Sequence, residues 1–235
     1  MENRKVISFL GVNESSSLFL YFPVYITVFC VLGLIAPQTR GLTLWLLEEN
    51  RPVEVATFIF LFLASIWSFK DFWLAKKQNE LFFVYGFYAV FGFVMFVVAM
   101  EEIAWGQSFF GFATPESLQE INKQGETTLH NIGELQGRSE FMRLIFGLAG
   151  LIGIAFYYFP FLRRISIPKS IIFYYLIITF HSIIDVYNDY YPIQERFDIY
   201  LQRVSEFIEL LIGMGSFLYV YINNRLFINR NLKMK

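Results

Sequence analysis

His181 and Asp185 stand four residues apart, as do Asp185 and Asp189, so each pair shares one face if the segment is helical. Glu126 and His130 repeat that spacing, Glu206 and Glu209 are three apart, and Glu101 and Glu102 are adjacent. Imidazole and carboxylate donors without thiolate suit zinc, manganese or iron. A glutamate beside a metal-bound water can serve as general base. The expected assignment gives Glu101, Glu126, His130, His181 and Asp185 to a divalent metal, with Glu102, Glu206 and Glu54 as acid–base groups. The Glu-x-x-His spacing of di-iron bundles is not matched, because each histidine is four residues from its acid.

Each of these residues also has a plainer reading. Glu54 complements the positive end of a helix that Pro52 would start. Glu101 and Glu102 serve as interfacial acids, although two together at the end of an apolar helix are costly unless paired. A charge at mid-bilayer costs about 2.5–3.5 kcal/mol on the lenient scale and much less near the interface. His181 also reads as a hydrogen-bonded structural group, His130 as a loop residue, and Glu206 as a partner for Arg203. Trp105 fits an aromatic belt, while Gly106 permits close backbone approach and Gln107 offers both a donor and an acceptor.

The elements that must position these groups are membrane spans. Of 235 residues, 56% are hydrophobic and only 17% charged, against about 25% charged in soluble domains. The apolar residues come in runs approaching the ~20 needed to cross ~30 Å of hydrocarbon. Six spans are expected, at about 17–36, 52–69, 81–110, 141–158, 170–187 and 199–222, in one all-α membrane-embedded domain. Gly41–Leu47 is too short to cross and, with Trp45, reads as interfacial. The first run is too long for a signal peptide's apolar core and lacks an A-x-A site, so it is read as a retained span. Residues 111–140 form the one long loop, in which Leu118, Ile121, Leu129 and Ile132 suggest a lid. Thr114-Pro115-Glu116 there is a helix-start pattern. A lone Cys30 excludes an intrachain disulfide and a cysteine metal cluster, and a net charge of −1 gives no basic surface for nucleic acid.

Lys and Arg are unevenly shared between the two sets of loops. One set has twelve of the 19, including Lys70, Lys76, Lys77, Arg163, Arg164 and Lys169; the other has seven, including Arg40, Arg51, Arg143 and Arg203. The richer set is cytoplasmic by the positive-inside rule, which places both termini inside and agrees with an even number of spans. Glu54, Glu101, Glu102, Glu126, His130, His181, Asp185, Glu206 and Glu209 all then fall at the outer face.

Glu101-Glu102-Ile103-Ala104-Trp105-Gly106-Gln107, Thr114-Pro115-Glu116 and Gly125-Glu126-Thr127-Thr128-Leu129-His130-Asn131, with the acidic entry at Glu49 and Glu54, resemble a family of bacterial polytopic membrane proteins. That family has no established activity, so the resemblance implies a cell-membrane location and links Glu54, Glu101, Glu102, Glu126 and His130, but no mechanism. The chain is similar to ceramidase-like membrane hydrolases only in architecture, since it has fewer spans and too few histidines for a three-histidine site. The expected function is a metal-dependent hydrolase or transferase acting on a membrane lipid or lipid-linked substrate in the outer leaflet. The rivals are a proton- or cation-coupled transporter and a structural subunit docking a membrane-protein partner. Crowding of the charges at one face counts against transport.

Overall fold

The computed structural model describes residues 16–48, 50–115, 127–128 and 139–233. Its helices are α1 (Ser16–Ile35), α2 (Pro37–Leu46), α3 (Pro52–Lys77), α4 (Phe82–Glu102), α5 (Gln107–Phe110), α6 (Ser139–Ala155), α7 (Ile172–Tyr190) and α8 (Glu195–Lys233), with no strand among the described residues. Five helical segments are long and apolar enough to cross a membrane, and the bent pair α1–α2 would make six.

Proline sets two of the starts. Pro37 opens α2 and Pro52 opens α3, where a missing N–H costs nothing. Between α1 and α2 the chain bends by 117°. Arg40 stabilises the bend, its Nε donating to the Leu34 carbonyl at 2.9 Å and its Nη2 to that of Ile35 at 3.0 Å. These carbonyls at the end of α1 lack helical partners and carry the negative end of its dipole, so a guanidinium suits both needs.

α3 and α4 form a tight antiparallel pair, turned through Asn79 at φ 54°, and α8 packs along α3. α6 lies against α7, and α7 contacts both α8 and α1. α8 is the central helix: 56% of its apolar window is buried, against 28% for α3, α4 and α6. Tyr88, Leu61, Ile178, Leu211 and Tyr219 lie fully inside, while Phe29, Phe82, Phe93 and Phe180 face outward as lipid contacts would. Gly147, Gly150 and Gly153 let α6 approach closely. A Cβ at Gly147 would sit 3.0 Å from the backbone nitrogen of Thr179, the small-residue packing that membrane helices use.

Two elements differ from expectation. α3 does not stop near Phe69 but runs to Lys77, because Phe72, Trp73 and Leu74 continue its apolar character past Lys70 and Asp71. The third span is not continuous to Phe110. α4 ends at Glu102, the chain reverses through Ala104 (φ 45°), Trp105 (φ 55°) and Gly106 (φ 93°), and α5 follows. Left-handed backbone at two successive non-glycine residues is uncommon and costs about 1–2 kcal/mol each.

Candidate functional site

The acidic end of the bundle is built around Arg143, two residues inside the expected fourth span. Its Nη2 lies 2.9 Å from Asp185 Oδ2 on α7, and its Nη1 2.7 Å from Glu209 Oε1 on α8. Ser205 Oγ donates to the same Asp185 oxygen at 3.2 Å. Arg143 and Asp185 are buried. A pair this deep depends on both partners, because removing one leaves an unpaired charge in a poor solvent for it. Glu140 and Asp189 add carboxylates within electrostatic reach of the same guanidinium.

Glu102 completes the arrangement from α4, within electrostatic reach of Glu209, Glu206, Glu54 and Arg143. Glu54, in the first turn of α3, accepts a hydrogen bond from the Asn50 backbone N–H. A cavity of about 100 Å³ is lined by Asn50, Glu54, Val55, Glu102, Ile103 and Phe109. A larger one of about 370 Å³ is lined by Glu48, Gln202, Arg203 and Glu206. Phe109, which lines the smaller cavity, and Phe110 and Phe112, on and just beyond α5, are exposed.

The turn after Glu102 is held by its own side chains. The Trp105 indole N–H donates to Glu101 Oε1 at 2.6 Å, so Glu101 serves the turn. Gln107 uses both ends of its amide: Nε2 donates to Thr114 Oγ1 at 3.0 Å, and Oε1 accepts from the Thr127 N–H at 2.8 Å. One glutamine thus clamps two separate points of the long loop beside the end of α4. Thr114 and Thr128 are buried there.

Of the residues expected to do chemistry, Glu54 and Glu206 lie within electrostatic reach of Glu102, and Glu102 in turn within reach of Glu209 and Arg143, to which Asp185 is bonded. His181 is buried on α7, within electrostatic reach of Asp185 and Arg143 and near the Leu201 backbone of α8, to which neither ring nitrogen makes a well-formed hydrogen bond. Glu126 and His130 lie outside the described residues, as does most of the expected lid. Compared with known proteins, the chain matches no family model, no curated protein and no solved structure. Its chemistry rests on its own geometry.

For a metal, that geometry is mixed. Among the described residues, no group of three or more His, Cys, Asp or Glu is placed to hold one ion. Asp185 Oδ2 is bonded to Arg143 and Ser205, which takes that oxygen away from a metal, whereas the imidazole of His181, with no well-formed hydrogen bond, fits a ligand role. Sequence reasoning missed Arg143, counting it as a loop charge. The available signal was an arginine inside a span boundary in a chain whose other spans carried unmatched acids.

Proposed function

We propose that the acidic end is the active site of a membrane-embedded hydrolase or transferase acting on a lipid or lipid-linked substrate at the outer leaflet. The observation that carries this reading is the placement of Glu102. It lines a small cavity, within electrostatic reach of three other glutamates, directly before a strained left-handed turn. Such strain persists where the surroundings over-determine it, and it clusters at functional sites. Glu102 lies within electrostatic reach of Glu54, Glu206 and Glu209, and carboxylates grouped in this way favour a proton held on one of them.

A neutral carboxylic acid next to ionised ones is the pairing that general acid–base catalysis uses. Glu102 is assigned the proton donor, with Glu206 or Glu54 as base. Arg143 positions Glu209 and Asp185. The exposed Phe109 gives the cavity an apolar edge suited to an acyl chain. A divalent ion (zinc, manganese or iron) remains part of the proposal through His181, with Glu126 and His130 as its remaining donors, and would supply Lewis-acid activation of water.

Purified protein in vesicles of a total polar lipid extract tests the reading, with lipid species followed by mass spectrometry. Turnover is expected in the wild type, falling by about 10²–10⁴-fold in Glu102→Gln and Glu206→Gln while both variants keep their helical content. An extract left unchanged by the wild type, or equal turnover in Glu102→Gln, overturns it.

A further inference from the structure

A second carboxylate lies at the other end of the molecule, where no site was expected. Asp71 is on α3, fewer than two turns before Lys77, and is 0% exposed. Its Oδ1 accepts from Asn224 Nδ2 of α8 at 2.7 Å, and its Oδ2 is buried with no hydrogen-bond partner among the described residues.

The groups around it are polar but uncharged. Tyr88 of α4 and Tyr219 of α8 lie within electrostatic reach of Asp71. Their hydroxyls are directed elsewhere, Tyr88 donating to the Arg164 carbonyl at 2.8 Å and Tyr219 to that of Ile165 at 2.9 Å. Asn223 Nδ2 donates to Tyr88 Oη at 3.1 Å. Asp71 takes part in none of the ion pairs among the described residues. Basic residues at this end of the bundle have other contacts: Arg164 pairs with Glu80 at 2.8 Å, Lys70 lies over the Trp67 ring, Lys76 lies near the rings of Phe72 and Trp73, and Arg225 donates to Tyr221.

An ionised carboxylate sealed from water with one amide donor and no cation is expensive. As a purely structural group it is also a poor choice, since its second oxygen is desolvated and makes no bond. We infer that Asp71 is a proton-binding site, carried as the neutral acid and exchanging its proton with the nearby basic face of the bundle. This site is separate from the acidic end and does not depend on the enzyme reading. The two sit at opposite ends of the α3–α8 interface.

Infrared spectroscopy of the full-length protein in lipid tests this directly. Beside the band of Glu102, the C=O stretch of a second protonated carboxyl, equivalent to one further group per chain, is expected at neutral pH. It should be lost in Asp71→Asn, retained in Glu102→Gln, shifted in D₂O and bleached in alkaline buffer. Should Asp71→Asn fail to fold, Asn224→Ser alters the one hydrogen bond to the carboxyl and is expected to move the same band. Absence of a band assigned to Asp71 overturns the proposal. So does a band that neither D₂O nor alkali affects, which would make Asp71 a sealed structural acid. A band that appears only when sodium is withheld would make a metal cation the ligand, and also overturns it.

Discussion

At the scale of the residue, Arg143 is the group on which most of the acidic end depends. Its two bonds tie α6 to both α7 and α8, so Arg143→Met strands Asp185 and Glu209 together. We expect a loss of about 3–5 kcal/mol, read as a lowered unfolding midpoint in detergent. The triple variant Arg143→Met, Asp185→Leu, Glu209→Leu should regain most of that stability, because it removes the stranded charges as well. If the single change leaves the midpoint where it was, the ion pairs contribute little. Sequence spacing revealed that acids and a histidine share faces on α7 and α8. It did not reveal which of them a guanidinium would claim, because that depends on how α6 is rotated against α7. Here the rotation is set by Gly147 and Gly150 lying against Thr179 and Tyr175.

At the scale of the element, the end of α4 decides whether Glu102 faces the other acids. Hydropathy alone carried the third span through to Phe110, since Ile103, Ala104 and Trp105 are as apolar as the helix before them. Nothing in such a window detects a reversal of φ. Gly106 was the one local sign in residue type; the Trp105–Glu101 bond is local but appears only once the turn has formed, and the Gln107–Thr127 bond that helps hold it spans 20 residues. The opposite error hid Asp71: Lys70 and Asp71 looked like the start of a loop, yet the helix continues and turns Asp71 inward. The turn's strain is open to test. Ala104→Gly should stabilise the protein by about 1 kcal/mol, because glycine adopts positive φ without the Cβ penalty. Gly106→Ala should destabilise it by a similar amount, its new Cβ meeting the Phe110 ring at 3.1 Å as well as an unfavourable φ. Thermal unfolding of the two variants side by side checks both signs, and an unchanged or reversed order would mean the turn stores no strain.

At the scale of the whole molecule, apolar runs were enough to place nearly every long helix, because a hydrocarbon layer imposes its own length. The direction of crossing rests on the lysine and arginine count and is directly measurable. With Cys30 replaced by serine, a single cysteine at Asn79 and another at Phe112 would sit at opposite ends of the bundle. A membrane-impermeant thiol reagent applied to intact cells is expected to label the Phe112 position and spare the Asn79 position until the cells are opened. Labelling in the reverse order would invert the molecule and move the acidic cavity to the cytoplasmic leaflet. Chemistry at either face would then be argued from the same residues, but with a different pool of lipids.

The length of α8 has a practical consequence of its own. Its 39 residues extend roughly 58 Å at 1.5 Å per residue, nearly double the ~30 Å hydrocarbon thickness, and no proline interrupts the run. A soluble helical protein joined in phase to its far end would therefore be held at a fixed angle to the lipid-embedded part. It would give the chain a rigid marker for image alignment in electron microscopy.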